Sequence, residues 1–449
     1  MASFVFVSAP RLVSRFSFIL KPSLPVLCIR HSASPFREWW QTSKPSVRLS
    51  NKDSTRMFST VPSAPPFAAR KSSRLGSARD DVVMLGIETS CDDTAAAVAD
   101  LLSRYGGVAP KMAEEAHSLV IDQVVRQALD NANLTENDLS AVAVTIGPVG
   151  VQKARRIAGQ FSLPIVGVHH MEAHALVARL IEKNLQFPFL ALLISGGHNL
   201  LILAHELGHY LQLGTTIDDA IGEAYDKTAR WLGLDMRKGG GPALEELAME
   251  GDPNSINFSV GQFLGTCLFS QIPMKQHKDC NFSYAGLKTQ VRLAMESRKI
   301  SPGSDPISLT NSEGRRSRAD IAASFQRVAV LHLEERCQRA IEWALKIEPS
   351  IKYLVVSGGV ASNKYVRARL NHVVENNNLQ LVCPPPSLCT DNGVMIAWTG
   401  IEHFLSGRFD PPPPDNEPED AMVKNTLHPD WWSTAIISTN SLETKKLKA

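Results

Sequence analysis

The chain has 449 residues, 44% of them hydrophobic and 20% charged, with a net charge of +2. That length predicts two to three domains, and the hydrophobic share is ordinary for a globular protein with a large core. No window reaches the roughly 18 uninterrupted apolar residues of a transmembrane helix. Seven cysteines without a C-x-x-C pair argue against a disulfide framework or a zinc ribbon.

The charge is uneven. Residues 1–79 hold 13 Lys and Arg against 2 Asp and Glu, a net of +11, so the remainder of the chain carries −9. This leader is rich in Ser, Arg and Pro and has no acid before Glu38. Its composition is that of an organelle transit peptide, expected to be disordered; the destination is the mitochondrion, with a plastid as the alternative.

Val82–Glu88 reads as a buried strand. It runs into Thr89-Ser90-Cys91-Asp92-Asp93-Thr94 and a second strand at Ala95–Ala99. Such a hairpin presents a hydroxyl-rich, acidic tip. Residues 114–131 have helical apolar spacing. Leu139–Ile146 is a strand ending at Gly147-Pro148-Val149-Gly150, followed by a helix with Lys153, Arg155 and Arg156.

A short strand then delivers Val168-His169-His170-Met171-Glu172-Ala173-His174. On a helix, His170 and His174 share one face, within reach of a single zinc or iron ion. The same spacing also suits two half-exposed histidines on an amphipathic helix. Phe189–Ile194 is a strand ending in Ser195-Gly196-Gly197-His198 and returning at Asn199–Leu203. Paired glycines let a backbone approach a phosphate closely. His205-Glu206-Leu207-Gly208-His209 fits the zinc-peptidase string H-E-x-x-H, but that motif needs a helix and Gly208 disfavours one. A hairpin turn is the expectation there.

A helix is expected from Thr215 through Lys227, with Asp226 within it, and another at Ala243–Glu250 after the glycine loop that contains Gly241. Residues 299–318 read as a mobile loop and Ala319–Leu345 as a long amphipathic helix. Tyr353–Val356 is a strand ending in a second Ser-Gly-Gly, at Ser357-Gly358-Gly359, with Asn363 close behind. A last strand at Leu379–Cys383 stops at three prolines, and Asp391 opens a final helix. There Asp391 suits either a helix cap or a third metal ligand. Two Ser-Gly-Gly turns at strand ends suggest a duplicated α/β fold closing on a nucleotide.

Six segments carry a specific resemblance: Gly86-Ile87-Glu88-Thr89-Ser90-Cys91-Asp92, His170–His174, Leu193–His198, Phe282-Ser283-Tyr284-Ala285-Gly286-Leu287-Lys288, Ser357–Asn363 and Cys389-Thr390-Asp391-Asn392-Gly393. Together, over about 82–402, they resemble the TsaD family of tRNA N6-adenosine threonylcarbamoyltransferases, once labelled O-sialoglycoprotein endopeptidases. The leader makes the likeness one to the organellar branch. The resemblance implies an α/β, actin-like (ASKHA) duplicated two-lobe fold with a central nucleotide cleft. Residues 80–189 plus 390–408 would form the first lobe, 190–389 the second, and 409–449 a disordered tail. It also implies transfer of threonylcarbamoyl from threonylcarbamoyl-adenylate, made by a separate synthase, to N6 of adenosine 37 in tRNAs reading codons that begin with A.

Residue by residue, the resemblance makes His170, His174 and Asp391 ligands of one divalent metal ion per subunit, iron or zinc. Leu193, Ile194, Ser195, Gly196, Gly197, Asp226, Gly241, Glu245 and Asn363 would bind the adenylate, and Asp92 and Asp93 would be catalytic. tRNA is the implied macromolecular partner, and a homodimer the implied assembly. With the domain net acidic, tRNA needs a local basic patch, for which Arg155, Arg156, Lys288 and Arg292 are candidates. Two departures stand out: the loop after Gly147-Pro148 is about seven residues short, and Gly261–Ile272 is extra. The alternatives are a catalytically impaired isoform or actin-fold partner subunit, and a metalloprotease using Glu206.

Overall fold

The computed structural model describes residues 26–32, 81–89, 110–146, 148–258, 272–303, 306–415 and 436–437. Among them run two mixed sheets with helices packed against them. The first sheet has the order β1 (Val26–Ser32), β2 (Asp81–Ile87), β3 (Ala141–Thr145), β4 (Ile165–Val168). β2, β3 and β4 are parallel, and β1 lies antiparallel to β2. The apolar run of β2 is buried on both sides, as parallel strands with covered faces require. α1 (Pro110–Ala132) and α2 (Pro148–Phe161) lie between the parallel strands in sequence and pack on β3 and its neighbours through Val124, Leu129, Ala154 and Ile157.

After β4 the chain enters α3 (His170–Ile181) and then the second sheet. β5 (Phe189–Ile194), β6 (Asn199–Glu206) and β7 (His209–Thr215) form an antiparallel meander. β8 (Tyr353–Ser357) adds parallel to β5, β9 (Gln380–Val382) parallel to β8, and β10 (Ile436–Ile437) parallel to β7. The helices are α4 (Ile221–Trp231), α5 (Gly240–Ala248), α6 (Ala285–Ser297), α7 (Ser312–Ile347), α8 (Lys364–Asn376), the short α9 (Pro386–Cys389) and α10 (Gly393–Leu405). One apolar cluster surrounds α7 and one face of the second sheet. Another spans both sheets, joining Met84 and Val166 to Phe189, Leu193 and Tyr210 through α3 and α10.

α10 lies flat on β2 and β3 because glycines leave it room. A Cβ on Gly86 would overlap the Gly393 carbonyl and the Ala397 amide, and one on Gly400 would overlap the Ala143 methyl. Met395, Ile396 and Ile401 of α10 are fully buried, each burial contributing about 1.5–3 kcal/mol. This contact fixes the start of α10, and with it Asp391.

The His205–His209 string forms the expected hairpin turn between β6 and β7. Gly208 takes φ +74° there, and no helical H-E-x-x-H face exists. Four expectations are corrected. Thr215 ends β7, and the helix expected from it begins at Ile221. α7 begins seven residues before Ala319, because the Asn311 side chain accepts from Gly314 N at 2.8 Å and starts the helix. The loop expected over 299–318 is shorter by that much. In the stretch read as a tail, Asp410 exchanges two backbone hydrogen bonds with Ile165, at 3.0 and 2.8 Å, and Ile436–Ile437 pairs with β7. In the stretch read as a disordered leader, Val26–Ser32 forms β1 beside β2. The hairpin tip with Asp92 and Asp93, its return strand, and most of the extra segment 261–272 lie outside the described residues. Among the described residues no helix is long and apolar enough to cross a membrane.

Candidate metal centre and nucleotide-binding turns

β4 ends at Val168, and His169 caps α3 with extended backbone, so His170 is the first helical residue and His174 lies one turn on. The two rings meet edge to face with centroids 4.7 Å apart. Asp391 arrives from a different part of the chain, between α9 and α10, where the Asn392 side chain caps α10 by accepting from Met395 N at 3.0 Å. Asp391 is therefore not the cap itself. Its Oδ1 lies 2.8 Å from His174 Nε2 and 3.5 Å from His170 Nε2. One atom from each of the three residues falls within 4.8 Å of the others, and they are the one such group of three among the described residues.

The set fits a metal ion. Both Nε2 atoms converge on one carboxylate oxygen, and two imidazoles with one carboxylate are the donors that zinc and ferrous iron accept. His174 is 2% exposed and Asp391 17%, so the inner ligand is shielded while the outer face stays accessible. The Ser195–His198 turn stands beside this group. Burial first, and then the neighbouring His170, push the His198 imidazole below its ordinary range, while Asp391 pulls the other way.

The turn is tight: Ser195 N donates to His198 O at 2.8 Å, and His198 N to Ser195 Oγ at 3.1 Å. The start of α4 presses on it, with Gly222 N donating to Ser195 O and Glu223 N to Gly196 O, both at 3.2 Å. A Cβ on Gly222 would lie 2.5 Å from Ser195 O. Gly196 and Gly197 open onto free space on their Cβ side. Leu193 and Ile194 are core residues of β5, so only their backbone is available to a ligand. The second Ser-Gly-Gly lies alongside, since β5 pairs Leu193 with Ser357, and Gly358, at φ +98°, packs on the Ile194 carbonyl.

Beyond the turns, Asp226 in α4 meets the backbone N–H groups of Gly240 and Gly241; burial still raises its carboxyl above the usual range. Glu245 accepts from Lys364 N at 2.7 Å, and Asn363 donates to Gln326 Oε1 at 3.1 Å while capping α8. Glu245, Gln326, Lys364, Tyr365, Pro242 and Met249 line a cavity of about 590 Å³. The structure thus brings together the three candidate ligands and, separately, the residues from Ser195 to Asn363. Asp92 and Asp93 lie outside the described residues.

Several participants were not singled out from sequence. Glu88 reaches His170, Tyr210 and His403 reach Glu172, and Gln326, Lys364 and Tyr365 line the cavity. The signals available for Glu88 were an acid closing the apolar run of β2 and its place in the Gly86–Asp92 segment of the resemblance. Lys288 leaves the set of tRNA-patch candidates, because its ammonium lies 2.6 Å from Asp219 and 3.3 Å from Glu223.

A family model described as TsaD, tRNA N6-adenosine threonylcarbamoyltransferase, matches residues 91–398. An Arabidopsis thaliana protein named "Probable tRNA N6-adenosine threonylcarbamoyltransferase, mitochondrial" is 69% identical over 374 residues, covering 78% of this chain and 75% of that one. A Xenopus tropicalis protein named "tRNA N6-adenosine threonylcarbamoyltransferase, mitochondrial" is 39% identical over 355 residues, covering 72% and 83%. Among solved structures, T. kodakarensis HypF matches with a TM-score of 0.43 at 17% identity, over 64% of this chain and 43% of that one, a likeness too loose to argue from. The family match spans every candidate site residue from Asp92 to Asp391, and on that ground the chain belongs to the tRNA N6-adenosine threonylcarbamoyltransferase family.

Proposed function

We propose that this chain transfers a threonylcarbamoyl group from threonylcarbamoyl-adenylate to N6 of adenosine 37 in tRNAs that read codons beginning with A, inside mitochondria. The names of its relatives and the basic leader support the activity and the compartment. The observation that carries the reading is the convergence of His170, His174 and Asp391 beside the Ser195–His198 turn.

An adenine amine is a poor nucleophile, so the carbamoyl carbon must be made electrophilic. One divalent ion, iron or zinc, held by His170, His174 and Asp391 would supply a Lewis acid for the carbamoyl oxygen. The protein's own groups bind and orient. Gly196 and Gly197 admit a phosphate to the backbone, whose N–H groups offset the charge on the departing adenylate phosphate. Asp226, Gly241, Glu245 and Asn363, with the 590 Å³ cavity beyond Glu245, receive the adenosine part. Asp92 and Asp93 are assigned to the acyl end, where a carboxylate orients the attacking amine or accepts its proton; this assignment rests on the family motif.

The two-lobe, actin-like plan belongs to the same reading. It is supported by two sheets, one built before residue 169 and one from Phe189 on, and by α10 returning to pack on the first. The adenylate would come from a separate synthase, and the functional unit would be a homodimer. The test is to incubate the full chain, loaded with zinc or iron, with threonylcarbamoyl-adenylate and a tRNA, and to analyse the nucleosides by mass. Modified adenosine from the wild type and none from His174→Ala supports the reading. No product from the loaded wild type overturns it.

A further inference from the structure

Glu88 stands one residue past β2 at the floor of the metal centre, 4% exposed. Thr145 Oγ1 lies 3.2 Å from its Oε1, and His170 Nδ1 lies 3.2 Å from its Oε2. Thr145 is itself held: it is fully buried at the end of β3 and accepts from Thr89 N at 3.1 Å. A carboxylate only accepts, and of the two that flank the ring Glu88 is the nearer, at 3.2 Å from Nδ1 against 3.5 Å from Nε2 to Asp391, so the neutral imidazole of His170 carries its proton on Nδ1 and its lone pair on Nε2. Nε2 is the atom that faces Asp391.

We propose that Glu88 is a positioning residue of the metal centre, holding His170 in the ring orientation and tautomer that offer Nε2 to a divalent ion. The two histidines are then unequal. His174 is fixed by burial within α3, and its Nδ1 has no hydrogen-bond partner among the described residues. His170, at the first turn and half-buried, is aimed by a carboxylate from the first sheet. Carboxylates that take the second N–H of a metal-bound imidazole fix its orientation and raise its basicity.

The geometry also links the short loop to the metal. A Cβ on Gly150, in the first turn of α2, would overlap the hydroxyl of Thr89, the residue after Glu88. A change of length after Pro148 therefore bears on the His170 side of the centre.

The test uses the full chain, stripped of metal and titrated with Zn²⁺ against a chromophoric chelator, with ¹⁵N NMR of the imidazoles. Glu88→Ala is expected to weaken Zn²⁺ binding about 10- to 100-fold. Glu88→Gln, which keeps an acceptor, is expected to weaken it less, and wild-type His170 to show the Nδ1–H tautomer. Where Glu88→Ala does not fold, Thr145→Val and the wild-type tautomer decide; Thr145→Val is expected to weaken binding severalfold. Unchanged Zn²⁺ affinity in the folded Glu88→Ala protein, or an Nε2–H tautomer at His170, overturns the inference. The inference rests on the proposed metal site: retention of Zn²⁺ by His170→Ala and His174→Ala would sink that site, whereas loss there with none in Glu88→Ala sinks this inference alone.

Discussion

Tyr210 donates to Glu172 at 2.6 Å, so a strand of the second sheet pins the helix that carries both candidate metal-binding histidines. Glu172 also meets His403 Nε2 at 3.0 Å, which ties α3 to α10, the helix that follows Asp391. All three side chains are buried, and a second buried pair, Arg179 with Glu402 at 2.9 Å, repeats the α3–α10 tie. Removing one donor from a buried carboxylate costs about 1–3 kcal/mol. Tyr210→Phe is expected to lower stability by that amount in urea unfolding, and Glu172→Leu, which orphans both partners, by about 3–5 kcal/mol. A Tyr210→Phe midpoint equal to that of the wild type would show that the bond contributes nothing.

His332 makes folding depend on pH. It is fully buried between Phe282 and Tyr284, and its Nε2 accepts from Ser283 N at 3.2 Å. Burial first, then Arg336 and Arg339, push it down to about 3. In the unfolded chain it titrates near its ordinary value of 6.5, so between these values the unfolded state binds the extra proton. Stability is thus full above about pH 6.5 and falls by about 1.4 kcal/mol per pH unit below it, until the folded pKa is reached. Replacing the imidazole by an amide, His332→Gln, is expected to flatten the slope of the urea midpoint between pH 6 and 4. A slope identical to that of the wild type would remove His332 as its source.

The residues that were legible in sequence are those whose chemistry is local. His170 and His174 are four apart on a helix start, and Gly208 marks the turn that breaks the H-E-x-x-H string. What escaped depends on partners distant in sequence. Glu88 meets a histidine 82 residues away, and Glu172 meets His403 231 residues away; neither spacing has a periodicity to reveal it. The first turns of α7 were hidden by Ser, Arg and Gly, although Asn311 caps them and Arg315 pairs with Glu250 at 2.6 Å. The links from Asp410 to Ile165 and from β1 to β2 are made by backbone groups, which composition does not report.

Two glycines distinguish the proposed metal centre from the turn proposed to bind the adenylate. Gly86→Ala would drive a methyl into Gly393 and Ala397 and lift the start of α10, two residues past Asp391. It is expected to destabilise the protein by about 1–3 kcal/mol and to weaken Zn²⁺ binding. Gly222→Ala would place a methyl 2.7 Å from Gly196 Cα. It is expected to raise the KM for the adenylate while leaving Zn²⁺ binding intact. Metal titration and steady-state kinetics on both variants check the pair; equal metal loss in both would mean that the turn and the centre move as one body.

Lys288 answers two acids next to that turn. Its side chain is 12% exposed and its ammonium bridges Asp219 and Glu223, while the backbone of Glu223 holds Gly196. Without the lysine, Asp219 loses its short ion pair and Glu223 keeps only Lys227, at 2.7 Å. Negative charge would then face an anionic adenylate across the turn. One such charge at partly screened range is worth about 1.4 kcal/mol, or tenfold. Lys288→Ala is therefore expected to raise the KM for threonylcarbamoyl-adenylate about tenfold with kcat nearly unchanged. Asp219→Asn in the same background should recover part of the loss, and added salt should shrink it, since screening acts on charge and not on shape. A loss confined to kcat, or one indifferent to salt, would show instead that Lys288 supports the packing of α6 against α4 and not the charge at the turn.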